Sequence, residues 1–250
     1  MLCCGCTPRT AEDWSSRIEP DSRFRDEHYE AVVLVGTGCS GTIVSPRHVL
    51  TAAHCLPRER SEVHSAAHAY PPPMPEVRVG EARIPVVGCD AHPGAYPGFE
   101  ACRGRPDQNV VRGHDLAVLT LARDVGPVMQ LALSSEPLLP DSVCLVGWHR
   151  RPRRRGALHR YAGEAQVVAA ERSLLRVVST SADQSRSFRT HGGNSGGPAL
   201  VHHAGQHHVV GVLSAHSFSR VRRSFYAWTQ ASENAAWLLE SLSLGDSEKE

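Results

Sequence analysis

The chain has 250 residues, of which 41% are apolar and 21% charged, so it can bury a substantial core as one large domain or two small ones, and a small disulfide scaffold is excluded. Twenty-seven basic residues against 26 acidic ones leave a formal net charge of +1, which argues against a dedicated nucleic-acid or polyanion binder. Lys249 is the only lysine, so 26 of the 27 bases are arginine, a bias that speaks of coding more than of chemistry.

In chain order, residues 1–27 are polar and charged with little periodicity and read as a leader or linker. Cys3, Cys4 and Cys6 crowd this segment; Gly5-Cys6 has the small-residue-then-cysteine form of a bacterial lipoprotein cleavage site, but no apolar stretch precedes it. Two readings stay open, an ordinary unstructured tail and an export-related leader that could tether the chain to a membrane by lipid. From 28 onward, ten short apolar and β-branched runs alternate with Gly and Pro, at 31–35, 41–44, 77–79, 84–87, 116–121, 143–146, 165–169, 174–178, 198–201 and 209–213. Many short strands divided by turns predict an all-β sandwich or barrel. Residues 230–244 carry Trp237, Leu238, Leu239, Leu242 and Leu244 at amphipathic spacing, which predicts one helix with Thr229 as its cap. No apolar run reaches the roughly 20 residues of a membrane-spanning helix.

Three segments interrupt the strands. Residues 71–75 form a stiff proline-rich stretch, and 91–112 form a long polar loop expected to be closed by a Cys89–Cys102 bridge. Residues 150–155 are a basic run after Trp148, read as a solvated turn, with docking of an acidic partner as the alternative. His202-His203 and His207-His208 flank Ala-Gly-Gln in an expected hairpin; facing imidazoles can hold a metal, but with no acid or thiol nearby no metal and no cofactor is assigned.

Three distant segments carry reactive groups: Thr51-Ala-Ala-His54-Cys55, Gly113-His114-Asp115-Leu-Ala-Val-Leu119, and Gly192-Gly193-Asn194-Ser195-Gly196-Gly197-Pro198. A serine hydroxyl becomes nucleophilic when an imidazole takes its proton, and the imidazole needs a buried carboxylate on its other nitrogen. His54, Asp115 and Ser195 are the residue types for these roles. Glycines around Ser195 permit backbone angles closed to other residues, so the amides of Gly193 and Ser195 can converge on a developing oxyanion. His114 is read as spacing or surface.

These motifs, in the order His, Asp, Ser, resemble the trypsin-like (chymotrypsin-fold) serine proteases over roughly 31–244, with Gly-Asn-Ser-Gly as in bacterial members. The resemblance implies two antiparallel six-stranded β-barrels with a C-terminal helix, the triad lying between them. The expected division is 28–128 with His54 and Asp115, 129–229 with Ser195, the helix at 230–244 and a disordered tail at 245–250. It also implies a Cys39–Cys55 disulfide, a hydrogen bond from Ser214 to Asp115, and substrate pairing along Ser214, Ala215 and His216. Cys144-Leu-Val-Gly-Trp148 is similar to the family's Cys-x-x-x-Gly-Trp strand with one residue fewer; its usual cysteine partner falls at Val201, so Cys144 is expected to be a buried thiol.

The departures are specific. The family's activation aspartate before the serine is here Asn194, and no Arg followed by Ile-Val-Gly-Gly occurs, so activity without N-terminal cleavage is expected. Arg189 stands where trypsins carry an aspartate, beside Thr190 and His191. A basic pocket disfavours a Lys or Arg side chain at P1 (the substrate residue before the cleaved bond) and suits an acidic one; Arg189 facing solvent, or Tyr226 narrowing the pocket, would favour small apolar residues instead. The sequence thus reads as a monomeric, secreted or periplasmic serine endopeptidase acting on proteins or peptides, without nucleic-acid partners, or alternatively as a catalytically silent binding module on the same fold.

Overall fold

In the computed structural model, residues 29–56, 75–95, 113–133, 139–150, 158–179, 190, 193–203, 206–216 and 223–244 are described. Six strands, β1 (Val32–Val35), β2 (Cys39–Ser45), β3 (His48–Thr51), β4 (Glu76–Val79), β5 (Ala82–Ala91) and β6 (Ala117–Leu121), close into one antiparallel barrel in the order β1-β2-β3-β6-β5-β4. The remaining strands are β7 (Gln130–Leu131), β8 (Ser142–Arg150), β9 (Leu158–Glu171), β10 (Leu174–Ser179), β11 (Pro198–His203), β12 (Gln206–His216) and β13 (Arg223–Trp228). They run β11-β8-β9-β10-β13-β12, and β11 pairs with β12 to close a second six-stranded barrel, to which β7 adds in parallel beside β12. Helix α1 (Ser232–Leu244) follows. The all-β, two-barrel architecture is as the sequence led one to expect.

Alternation explains the long strands. Along β9, Gly163 and Ala165 are buried while Glu164, Gln166 and Val168 face solvent, and a half-buried strand needs no longer apolar run than that. Such alternation hid β9's full length, because only its centre reads as apolar. Three strands have no counterpart among the expected runs. β3 is four residues with His48 and Thr51 at its ends, β7 is two residues, and β13 mixes Arg223 and Ser224 with aromatics. Their identity comes from ladder partners: β3 lies between β2 and β6, and β13 between β10 and β12.

Helix α1 begins at Ser232, two residues later than expected, and Thr229 is not its cap. The Thr229 side chain donates instead to the Val209 carbonyl at 3.3 Å, tying the helix approach to β12. The packing of α1 crosses to the first barrel. Asn234, fully buried, donates to the carbonyls of Gly113 (2.8 Å) and Trp228 (2.8 Å), Ser241 bonds Asp90, and Trp237 meets the His92 ring edge-on at 5.1 Å.

One apolar cluster joins the barrels, running from Val32, Ile43 and Leu50 through Cys144, Leu200 and Val209. Polar contacts fix the seam: the Trp148 indole donates to the Val32 carbonyl at 3.0 Å, and Arg160 bonds the Tyr29 carbonyl while its guanidinium lies 5.8 Å from the Trp148 ring centre. A Cys39–Cys55 disulfide spans 16 positions, and Cys144 is a buried thiol, its Sγ 3.4 Å from the Tyr29 hydroxyl. Cys89 is disulfide-bonded; Cys102, its expected partner, lies outside the described residues, as do the 1–27 segment with Cys3, Cys4 and Cys6, most of 71–75, the 96–112 part of the long loop, and 151–155 of the basic run.

Candidate active site

Strand pairing delivers His54 and Asp115 to one place. Thr51, the last residue of β3, stands opposite Ala117, the first of β6, so the chain leaving β3 and the chain entering β6 emerge side by side at one end of the barrel. Three residues past Thr51, the single 3-10 turn Ala53–Cys55 presents His54; two residues before Ala117 lies Asp115. The carboxylate is fully buried, and both of its oxygens are engaged. The His54 amide donates to Oδ1 at 2.9 Å, His54 Nδ1 lies 2.6 Å from Oδ2, and the Ser214 hydroxyl donates to Oδ2 at 2.7 Å. A buried carboxylate is costly unless it is hydrogen-bonded in this way, and the contact with Nδ1 turns the other ring nitrogen, Nε2, away from it.

The Ser195 turn comes from the second barrel. Gly193 and Gly196 have φ of 107° and 81°, a left-handed region that other residues enter at a cost of about 1–2 kcal/mol. Gly196 is further constrained by its neighbours. A Cβ there would fall 2.2 Å from the Ser40 carbonyl oxygen and 2.3 Å from Thr51 Oγ1, so the turn presses directly on the first barrel. Ser40 of β2 receives it: its amide donates to the Ser195 carbonyl at 2.7 Å, its hydroxyl donates to the Gly193 carbonyl at 2.8 Å and accepts the Trp148 amide at 2.9 Å. Holding both carbonyls fixes the peptide planes of the turn. On the other side, the Gly196 amide donates to the Leu213 carbonyl at 2.8 Å and the Leu213 amide to the Gly197 carbonyl at 2.9 Å, which sets Ser214 beside the turn.

Asn194 is completely buried between two partners. The Tyr161 hydroxyl donates to its Oδ1 at 2.6 Å, and its Nδ2 donates to the Trp148 carbonyl at 2.8 Å. Burial pushes the Tyr161 hydroxyl well above its ordinary range, so it remains a proton donor. Gly147 makes room for this arrangement, since a Cβ there would lie 2.9 Å from Asn194 Nδ2.

Around the expected pocket, Ser214 and Ala215 lie on β12 at a register shift opposite Phe225, and His216 pairs with Ser224. The Thr190 and Ser224 hydroxyls are 2.5 Å apart, which brings the two expected walls together. Tyr226, by contrast, stands opposite Leu213 and is 1% exposed, packed in the second barrel's core with Leu145, Leu175 and Leu213. The residue facing Thr190 is therefore Ser224, which sequence reasoning passed over because a lone serine carries no pattern. Arg189 and His191 lie outside the described residues.

His114 is not surface spacing. Its Nδ1 lies 3.0 Å from Asn234 Oδ1, its Nε2 is 3.3 Å from Glu233, and its ring stacks on His92 at 4.7 Å. Helix α1 thus grips the residue next to Asp115. Burial first, then the nearby His114 charge, lower the His92 pKa to about 4, against smaller raising effects of Glu233 and Asp90. Sequence reading also missed Ser40 and Tyr161, which act through neighbours that are remote in sequence. Cys39, His54 and Cys55 cluster closely enough to suggest a metal, but the two sulfurs form the disulfide and offer no thiolate.

Comparison with known proteins gives the same picture from a different side. The family model described as Trypsin matches residues 21–238. The venom protease of Bombus pensylvanicus is 25% identical over 195 residues, covering 70% of this chain and 74% of that protein. The mouse and human proteins named inactive serine protease 35 are 57% and 51% identical over 37 residues, 14% of this chain and 9% of theirs. All are animal proteins, so the expected bacterial affiliation is not supported: a Gly-Asn-Ser-Gly turn is too short a feature to assign a lineage.

Proposed function

The chain belongs to the trypsin family, and from that premise we propose that it is a serine endopeptidase working through an acyl-enzyme intermediate, with Ser195 as nucleophile, His54 as general base and Asp115 as the orienting carboxylate. The observation that carries this reading is the fully buried Asp115 receiving His54 N, His54 Nδ1 and Ser214 Oγ. That arrangement fixes the imidazole tautomer and stabilises the imidazolium formed when Ser195 attacks a peptide carbonyl. The same imidazolium then protonates the leaving amine, and a water attacking the acyl ester regenerates the serine. The amides of Gly193 and Ser195 serve as oxyanion donors, each worth about 10²–10³ in turnover.

The enzyme is proposed to be active without N-terminal cleavage. Asn194 cannot pair with a new ammonium, and Tyr161 with the Trp148 carbonyl already occupies its side chain. Intact-mass measurement of active protein tests this point; activity appearing only after a cut would overturn it. At P1 we infer exclusion of Lys and Arg, with small apolar or acidic residues accepted, since in sequence Arg189 replaces the aspartate of the trypsins and the Thr190 and Ser224 hydroxyls meet across the expected pocket walls. A P1-randomised peptide library decides between them. The Cys39–Cys55 bridge supports secretion into an oxidising compartment, where a monomer would meet protein or peptide substrates.

A second reading has one observation behind it. Relatives named as inactive match a stretch of this chain, which favours a silent binding module on the same fold. Labelling by a fluorophosphonate probe separates the two: covalent labelling lost in Ser195→Ala supports the peptidase, and no labelling of the folded chain overturns it.

A further inference from the structure

The hairpin of β11 and β12 carries four histidines in seven positions, His202, His203, His207 and His208, none of them used by the proposed triad. Register places His202 directly opposite His207, with ring centroids 5.3 Å apart. His203 and His208 fall on the other face of the hairpin, 6.1 Å apart, because successive residues of a strand point to opposite sides. The four imidazoles therefore form two separate pairs.

We propose that His202 and His207 form a binding site for a borderline divalent cation of the zinc, nickel or copper class. Two imidazole nitrogens at about 2.0–2.1 Å from one ion, at a near-tetrahedral angle, bring their ring centroids to about 5.2 Å. The observed 5.3 Å matches that spacing, so the rings need to turn but the strands need not move. His203 and His208 at 6.1 Å would need the hairpin itself to tighten. The first pair is also the better braced. The His207 ring packs 5.5 Å from that of Tyr29, which is 1% exposed, and the next pair on the same face, Leu200 with Val209, is fully buried in the cluster joining the barrels. His202 is exposed and gives the ion a way in. Neutral imidazole is the form that binds metal, and nitrogen donors select this class over calcium or magnesium, which take oxygen ligands. Water would complete the coordination.

The site is separate from the chemistry. β11 climbs about 3.3 Å per residue, so its far end lies about 16 Å beyond the Ser195 turn, and filling the site leaves peptide hydrolysis unchanged. The test is calorimetric titration of the full chain with Zn²⁺ and Ni²⁺, together with the spin-resonance spectrum of bound Cu²⁺. Saturable binding with two-nitrogen coupling, weakened roughly tenfold or more by His202→Ala or His207→Ala because one arm of a chelate is lost, and unchanged in His203→Ala with His208→Ala, is the expected result. Metal should also raise the unfolding midpoint of the wild type but not of the His202→Ala protein. His202 is exposed, so that variant keeps the test decisive should His207→Ala not fold. Affinity unchanged in His202→Ala, or lost only in His54→Ala or only in the His203/His208 variant, overturns the proposal.

Discussion

At the scale of single residues, Asn194 shows how a buried side chain's type sets what its surroundings must supply. An aspartate there would be a buried charge in need of a cation; an asparagine is neutral and needs only a donor and an acceptor, which Tyr161 and the Trp148 carbonyl provide. Removing the Tyr161 hydroxyl leaves the Asn194 oxygen short of a partner in a dry site. Tyr161→Phe is expected to lower kcat about tenfold with KM nearly unchanged, because the lost bond, worth about 1–3 kcal/mol, orders the turn and does not touch the substrate. Steady-state kinetics beside a denaturation curve check this; KM rising while kcat holds would contradict it. His92 makes a prediction of the opposite kind, about stability. Its pKa of about 4 lies below the ordinary 6.5, so the unfolded chain binds the extra proton first. The folded state is therefore favoured in full above pH 6.5, and that contribution is lost as pH falls toward 4, up to about 3 kcal/mol before discounting for solvent screening. Urea unfolding across that window, compared with His92→Phe, should show the weaker pH dependence in the variant.

At the scale of elements, helix α1 joins the two halves of the site from behind. Asn234 reaches the Gly113 carbonyl on the Asp115 approach and the Trp228 carbonyl at the end of β13, and Gly113, at φ 91° with Ser173 O only 2.2 Å from where a Cβ would be, tolerates no side chain at that contact. Asn234→Ala takes the side-chain donor from the Gly113 carbonyl and leaves the Trp228 carbonyl to the Ala231 amide, and should cost about 1–3 kcal/mol in stability. Because the same bonds hold the segment carrying Asp115, kcat should fall several-fold as well. A stability loss with kcat untouched would mean that the helix braces the barrel but not the site.

At the scale of the whole molecule, the candidate site sits where two closed barrels share one apolar cluster. Ser40 on one barrel and the Gly193–Gly196 turn on the other interlock, and the Cys39–Cys55 bridge pins the segment that carries His54. Opening a loop of 16 positions releases chain entropy worth about 3 kcal/mol. The Cys39→Ala, Cys55→Ala protein is expected to unfold at lower denaturant by that amount, and the wild type under reducing conditions should lose at least as much, because the bridge of Cys89 opens as well.

His54, Asp115 and Ser195 could be singled out from the sequence as the proposed triad because each sits in a short run whose composition is dictated locally: glycines where the backbone turns left-handed, a small-residue turn before His54, a buried apolar strand after Asp115. The barrels were legible as a class, since alternation and turn residues are also local signals. Short strands such as β3 and β13 were not, because what makes them strands is the partner on either side. Nor were Ser40, Tyr161, Ser224 and Asn234, each of which has a partner 33 to 155 positions away. A lone polar residue acquires a role only when folding takes water from it and leaves one neighbour able to bond it, and that choice of neighbour belongs to the tertiary structure alone.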